Sequence, residues 1–139
     1  MLDIDMSTLK GFIYKIESTL TDKIYIGSTK KKIQYRLTQH KYDYKRFIDG
    51  RFHNISSFEI IKLGNANITL IEECDFNSIV ELQTRERFHI ELNRDICINK
   101  CLPTRTTKEW SIEYYQKNKE KAKEYQKQYY YKNRCCSKY

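Results

Sequence analysis

The sequence has few residues that interrupt regular structure, with one proline and four glycines in 139 residues. It also lacks long apolar runs, so no segment is predicted to cross a bilayer as a helix. Residues 1–5 contain neither a basic region nor an apolar core, which argues against a secretory signal. The five cysteines are odd in number and irregularly spaced, which argues against a disulfide framework and fits a reducing, intracellular compartment.

Positive charge is concentrated in the C-terminal quarter of the chain. Residues 1–103 contain 16 Lys and Arg against 14 Asp and Glu, a net charge of +2, whereas residues 104–139 contain 10 against 4, a net charge of +6. The sequence therefore predicts one domain over 1–103, ending at Pro103, and a basic helical tail over 104–139 that is rich in Tyr and Lys. A polyanion is the expected partner of such a tail. A solvated helix that only keeps the protein soluble explains the same composition.

Periodic patterns predict the elements of the domain. Residues 11–17 and 23–29 alternate between two faces across a short polar link, which is typical of a β-hairpin. Apolar residues at helical spacing, or in a third extended run, predict the elements that follow: a helix over 32–48, a shorter helix over 55–63, a strand over 67–74, a helix over 78–92 and an extended piece over 96–99.

Polar residues next to these segments predict where the helices begin and end. Ser28 or Thr29 is expected to cap the first helix, and Gly64-Asn65 is expected to end the second. Ser78 and Glu81 have the spacing of a capping box in front of the third.

Two of the predicted helices carry charged or titratable residues in or beside their apolar stripes. In the first helix His40 falls within the stripe and Arg36 on its edge. An unpaired guanidinium is costly to bury, so Arg36 needs a carboxylate, a phosphate or open water. Glu86 interrupts the stripe of the third helix. A structural Arg36–Glu86 ion pair explains this pattern, and spacing alone favours it over a metal-binding carboxylate that faces a cleft.

The predicted hairpin adds two tyrosines and a glycine to this group. Tyr14 and Tyr25 are spaced so that paired strands bring both hydroxyls to one surface of the sheet. Gly27 lies on the same face as Tyr25, and a glycine within a strand marks close approach by a ligand or another backbone. Phenols, a guanidinium and a single carboxylate are groups that phosphodiester cleavage with one divalent metal requires.

These residues stand, in chain order, within five motifs that resemble those of the GIY-YIG nuclease superfamily: Gly11-Phe12-Ile13-Tyr14-Lys15-Ile16, Lys23-Ile24-Tyr25-Ile26-Gly27-Ser28-Thr29, Arg36-x-x-x-His40, Arg85-Glu86-Arg87-Phe88-x-Ile90 and Ile98-Asn99. The resemblance covers about residues 10–100. It implies an α/β fold with a three-stranded antiparallel sheet flanked by helices. One departure is Phe12, which replaces the glycine that opens the first motif, while Gly11 stands one place early.

The resemblance also implies a role for each of six residues, with DNA as the substrate and Mg²⁺ or Mn²⁺ as the cofactor. Tyr14 matches the general base, Tyr25 a tyrosine that positions or assists, Arg36 the arginine on the scissile phosphate, His40 a supporting histidine, Glu86 the metal ligand and Asn99 the asparagine that closes the domain. A metal-dependent DNA endonuclease is the leading hypothesis.

Other interpretations of the sequence predict different behaviour. A non-catalytic nucleic-acid-binding protein on the same scaffold would bind DNA without cutting it. A purely structural α/β protein would bind a protein partner through the tail, and its DNA affinity would be weak and depend little on salt. Cys97, Cys101 and His89 are a weak zinc motif because a fourth ligand is missing. Cys135 and Cys136 are expected to be free thiols.

Overall fold

The computed structural model describes residues 9–136, apart from the side chains of Cys135 and Cys136. The predictions made for residues 1–5 and for these two thiols therefore lie outside the described residues. Contacts group the chain into two compact units, one that ends at Thr104 and one that begins at Arg105. None of the helices within residues 9–136 combines the length and the apolar character needed to cross a bilayer.

The first unit is built on a three-stranded antiparallel sheet. Strands β1 (Leu9–Ser18), β2 (Thr21–Thr29) and β3 (Ala66–Phe76) lie in the order β2-β1-β3, so β1 is central and pairs with both of the others. β1 and β2 form the predicted hairpin, with Tyr14 opposite Gly27. The pairing of β1 with β3 shifts register between Ile13 and Tyr14.

Helices cover both faces of the sheet. Helices α1 (Ile33–Ile48) and α2 (Phe58–Ile61) pack on one face, and α3 (Ile79–Leu92) packs on the other. The fold class predicted from the sequence, a three-stranded antiparallel sheet flanked by helices, is confirmed.

Because successive side chains of β1 point to opposite faces of the sheet, the unit has two hydrophobic cores. The aliphatic face, under α3, is formed by Ile13, Ile24, Ile26, Phe76, Leu82 and Ile90. The tyrosine face, under α1 and α2, is formed by Tyr14, Ile16, Ile60 and Ile61, with half-buried Tyr25, Leu37 and Tyr44 against them.

Gly11 belongs to the aliphatic face. A Cβ atom at this position would lie 2.5 Å from Cδ1 of Leu82 and 2.8 Å from Cε1 of Phe76. Gly11 therefore allows α3 to pack closely on β1. The position of this glycine, one residue before the glycine of the family motif, thus affects the packing of the helix on the sheet.

The predicted cap of α1 is wrong. Lys32 occupies the N-cap position, and its side chain makes no capping hydrogen bond. The Thr29 hydroxyl instead accepts a hydrogen bond from the Lys31 N–H at 3.1 Å, and the Ser28 hydroxyl is bonded to Glu86. Both strand residues have other partners and are separated from the helix by Lys30–Lys32, so neither reaches its first turn.

The ends of the other two helices differ from prediction in detail. Ser78 is the N-cap of α3, but its side chain makes no capping bond. The Glu81 carboxylate accepts from the Asn77 N–H at 2.8 Å, so the reciprocal box predicted for these residues does not form. Helix α2 is shorter than predicted. Gly64 and Asn65 follow it with φ of +86° and +54°, which confirms that the chain turns there.

The second unit is one helix of 30 residues, α4 (Thr107–Cys136). It begins at a reciprocal capping box that the sequence analysis missed. The Thr106 N–H donates to the Glu109 carboxylate at 2.8 Å, and the Glu109 N–H donates to the Thr106 hydroxyl at 3.2 Å. The large aromatic side chains of α4 are exposed, which is typical of a helix whose residues are mostly charged or polar.

Candidate active site

Tyr14 begins a buried chain of polar groups on the tyrosine face. Its hydroxyl lies 2.9 Å from Nε2 of His40, and Nδ1 of His40 lies 2.9 Å from the Ser57 hydroxyl. The pKa of His40 is lowered to about 4, chiefly by burial and in part by the charge of Arg36, while Asp43 opposes the shift. The imidazole is therefore neutral at pH 7. A neutral ring has one N–H and one lone pair, so it accepts from one hydroxyl and donates to the other.

Ser57 is part of this chain and was not predicted from the sequence. It is fully buried, at 0 % exposure, and lies directly before the apolar helix α2. The sequence feature that could have indicated Ser57 is its position directly before an apolar segment. That signal is weak, because serine is common at helix starts for capping alone.

The Tyr14 ring lies against the backbone of Gly27. A Cβ atom at Gly27 would come within 2.5 Å of the Tyr14 hydroxyl oxygen and 2.6 Å of Cζ. The sequence predicted close approach to this glycine by a ligand or another backbone, whereas the group that occupies the space is a phenol of the neighbouring strand. Gly27 therefore sets the position of the Tyr14 hydroxyl.

Both tyrosines have a raised pKa. For Tyr14 burial is the main cause, and the nearby Arg36 guanidinium opposes it. For Tyr25 burial again dominates, and Tyr14 and Glu86 add to it. Neither phenol is ionised at neutral pH, which excludes a resting tyrosinate. The two rings meet at His40, whose ring centroid lies 6.1 Å from that of Tyr14 and 5.5 Å from that of Tyr25.

Glu86 reaches the site from the opposite side of the sheet. It is half-buried on α3 and accepts a 2.5 Å hydrogen bond from the Ser28 hydroxyl. Burial raises the pKa of its carboxyl, while the Ser28 bond and the Arg36 charge lower it. Both Arg36 and Glu86 are described residues, and no ion pair joins them within 4.0 Å. The structural ion pair favoured by spacing alone is therefore wrong.

The Asn99 side chain acts as a substitute strand partner for β2. Backbone hydrogen bonds first join the 96–98 segment to Ile24, with both N···O distances at 2.9 Å. The Asn99 amide then continues this pairing at Ile26, accepting from its N–H at 2.9 Å and donating to its C=O at 2.7 Å. The side chain thus fixes the backbone between Tyr25 and Gly27.

The predicted site residues surround β2 and line at least two cavities. Tyr25, Glu86 and Asn99 line a cavity of about 480 Å³ together with Gln83 and Lys100. Arg36 lines a second cavity of about 540 Å³, with Lys31, Tyr35, Thr38, Gln39 and Tyr42. Tyr14 is 1 % exposed.

The oxygen groups of the cavity fit a hard divalent cation better than zinc. Within the described part of the chain, no three His, Cys, Asp or Glu side chains are close enough to hold a metal together. His89 is bonded to Glu72 at 2.9 Å, and the Cys97 thiol donates to Asn99. One carboxylate facing an open cavity suits Mg²⁺ or Mn²⁺, which bind few protein ligands and keep several waters.

Comparisons with known proteins agree with this geometry. Residues 10–100 match the model of the GIY-YIG catalytic domain. Among solved structures, a mutant of the catalytic domain of the intron endonuclease I-TevI is similar, with a TM-score of 0.51 and 25 % identity; the match covers 70 % of this chain and 99 % of that one.

Two proteins of Invertebrate iridescent virus 6 are also similar. Uncharacterized protein 019R is 36 % identical over 80 residues, which are 58 % of this chain and 28 % of that protein. Protein 146R, named for an MSV199 domain, is 32 % identical over 82 residues, or 59 % of this chain and 33 % of that protein. The chain therefore spans about a third or less of these relatives.

Proposed function

Because the chain belongs to the GIY-YIG family, we propose that it is a divalent-metal-dependent endonuclease that hydrolyses DNA phosphodiester bonds. In this proposal residues 1–103 are the nuclease domain and residues 104–139 a tail that contributes to binding. The observation that carries the proposal is the buried Tyr14–His40–Ser57 chain, with Arg36 beside it and Glu86 across β2. A purely structural core has no need of these groups.

Tyr14 acts as the general base through a relay. Since its pKa is raised, the phenol must lose its own proton as it takes one from the attacking water. The neutral Nε2 of His40, 2.9 Å away, is the acceptor for that proton, and Nδ1 of the resulting imidazolium donates to Ser57. Arg36 is one cause of the low His40 pKa. A phosphate bound to Arg36 would offset this charge and make His40 a better acceptor when substrate is present.

Arg36 binds the scissile phosphate. Its guanidinium is half-buried, has no ion pair with Glu86 and is hydrogen-bonded to the Tyr14 side chain, so its remaining donors are available for a phosphate. Hydrogen bonds from this group strengthen as negative charge builds up on the pentavalent phosphorus centre. The cavity that Arg36 lines is open to solvent and includes Lys31, which adds positive charge.

Glu86 would hold the divalent ion, and the ion would neutralise charge on the departing 3′-oxygen. The Ser28 hydroxyl hydrogen-bonds one oxygen of the Glu86 carboxylate and restrains the side chain, which leaves the other oxygen in a fixed position to bind the ion. Tyr25 lines the same cavity and orients the substrate. Asn99 is a positioning residue, because its polar atoms are bonded to Ile26.

A plasmid-nicking assay with Glu86→Gln tests the proposal. This variant keeps the shape of the side chain and removes its charge, so we expect a loss of nicking of at least about 100-fold with unchanged folding and DNA binding. Glu91→Gln on the same helix is the control, since Glu91 is half-exposed and pairs with Arg87. It should nick at the rate of the unmodified protein.

Metal dependence is tested in the same assay by comparing Mg²⁺, Mn²⁺ and EDTA. Nicking should stop in EDTA and return when the metal is restored. Full nicking in EDTA, or full nicking by Glu86→Gln, would contradict the assignment. DNA binding without nicking under any of these conditions would favour the non-catalytic scaffold instead.

A further inference from the structure

Helix α4 separates its charges by face. At 100° per residue, Glu109, Glu113, Glu120 and Glu124 fall within an arc of about 60° on the helix surface. They are the four acidic residues of the helix, so the rest of its circumference carries none. This segregation does not follow from burial, because the whole helix is exposed or nearly so.

The glutamates have partners on their own side of the helix. Glu113 pairs with Arg105 and with Lys117, the latter at 2.7 Å. Glu120 pairs with Lys123 at 3.7 Å. Glu124 accepts from Gln128, and Glu109 accepts from the N–H of Thr106. Each glutamate therefore has a partner nearby, which for Glu113 and Glu120 is a cation, and all four are turned away from the other side of the helix.

The opposite side carries uncharged hydrogen-bonding groups between two pairs of lysines. The uncharged groups lie along one stripe: Ser111, Tyr115, Asn118, Tyr125, Tyr129 and Asn133. Lys121 and Lys132 border the stripe on one side, and Lys108 and Lys119 border it on the other. Within the described part of the chain these four lysines form no ion pair. The tyrosines are exposed by 62–70 % of their surface.

We propose that this stripe and its four lysines, the phosphate-binding face of α4, bind the sugar–phosphate backbone of duplex DNA. The proposal rests on the proposed function, in which DNA is the substrate. Four unpaired ammonium groups attract phosphates, and the serine and tyrosine hydroxyls between them donate hydrogen bonds to the same oxygens. The glutamate face then points away from the polyanion. A 30-residue helix is about 45 Å long, enough to reach phosphates across more than one groove.

Two variants that differ only in the face they change test this assignment. The first, K108Q/K119Q/K121Q/K132Q, removes four positive charges from the phosphate-binding face. The second, K117Q/K123Q/K127Q/R134Q, removes four from the glutamate side, so the net charge of the two proteins is the same. Glutamine keeps helix propensity close to that of lysine, and circular dichroism should show unchanged helix content in both.

Binding of the full chain is measured by fluorescence anisotropy with a labelled 20-base-pair duplex, in EDTA, over a series of salt concentrations. We expect the first variant to raise Kd by at least about tenfold. The slope of log K against log salt should fall by about 3 to 4, or roughly 0.9 for each lost phosphate contact. The second variant should change Kd by less than about threefold.

Equal losses in both variants would overturn the proposal, since net charge alone would explain binding. So would unchanged binding in both, or a loss seen only for a single strand of the same sequence. Light scattering that shows a dimer broken by the first variant alone would assign the face to a second copy and also overturn it. EDTA separates this test from catalysis, so a failure here leaves the nicking results with Glu86→Gln intact.

Discussion

The two faces of the sheet are buried to a similar degree, yet their chemistry differs. The aliphatic face consists of isoleucine, leucine and phenylalanine side chains. The tyrosine face also contains a phenol, an imidazole and a serine hydroxyl, all 2 % exposed or less. Within the described residues every buried side-chain nitrogen or oxygen has a hydrogen-bond partner. A core tolerates such groups only when their bonds are complete. The tyrosine face therefore holds its reactive groups in one arrangement, whereas the buried residues of the aliphatic face serve packing alone.

Two glycines give the most direct way to break this comparison. A methyl group at Gly27 would lie 2.5 Å from the Tyr14 hydroxyl, and the rigid ring can only escape by leaving His40. We expect Gly27→Ala to lower nicking by at least about 100-fold and the free energy of unfolding by about 1–3 kcal/mol. Plasmid nicking and urea unfolding measure the two effects.

Gly11→Ala is the matched change on the aliphatic face. Its methyl group would lie 2.5 Å from Cδ1 of Leu82 and 2.8 Å from Cε1 of Phe76, and neither side chain belongs to the proposed site. Stability should fall by a similar amount, and the folded protein should nick within about threefold of the unmodified rate. An equal loss of nicking from both glycine variants would remove the distinction between the faces.

The pH dependence of stability should come in large part from His40 on the tyrosine face. Its pKa is about 4 in the folded chain and about 6.5 when unfolded. The unfolded state therefore binds more protons between these values, and stability is complete above pH 6.5 and falls as the pH drops toward 4. The expected loss is on the order of 3 kcal/mol, measured by urea unfolding at pH 7, 5.5 and 4.

His40→Gln should flatten this dependence, whereas His53→Gln, on the surface, should not. The carboxyl of Glu86 has a raised pKa, so its protonation at low pH favours the folded state and acts in the opposite direction. It is present in all three proteins, and the difference between their curves isolates His40. Identical curves for the unmodified protein and His40→Gln would show that the imidazole is not the titrating group.

Ser57→Ala should give the smallest of these effects. It removes the partner of His40 Nδ1, and we expect a loss of about 1–2 kcal/mol in the free energy of unfolding. Nicking should fall by about tenfold, because the imidazole loses the group that orients it.

Ile13→Val on the aliphatic face is the control, because it lowers the free energy of unfolding by a similar amount, about 0.5–1.5 kcal/mol. It should leave the nicking rate and its pH profile unchanged, and a matching loss of rate there would contradict a positioning role for Ser57.

Predictions from the sequence succeeded where the signal is local. The alternation in 11–17 and 23–29 and the helical spacing in 32–48 appear as β1, β2 and α1 within a few residues. The predictions failed where one side chain has more than one possible partner. Ser28 was expected to cap α1, but it bonds to Glu86, which lies 58 residues away. Ser78 and Thr106 have the same capping signature, and only Thr106 forms the box.

The composition of the site was predictable, and its connections were not. Tyr14, Tyr25, Arg36, His40, Glu86 and Asn99 were selected from the sequence, and the structure gathers them around β2. Their proposed roles remain predictions for the assays above. Ser57 was missed, and the cavity of Arg36 proved separate from that of Glu86. Helical phase shows which way a side chain faces along its own helix, but not which group of another element it meets.

The sequence by itself determined the secondary structure, the sheet-facing residues and the uneven charge of the two units, because these depend on periodicity and composition within short segments. The tertiary structure decided the partners: Tyr14 with His40 across 26 residues, Ile26 with Asn99 across 73, and Glu86 with Ser28 instead of Arg36. Such pairings depend on how closely the packed helices and strands approach one another. At Tyr14 the ring can lie against the backbone of β2 only because Gly27 has no side chain.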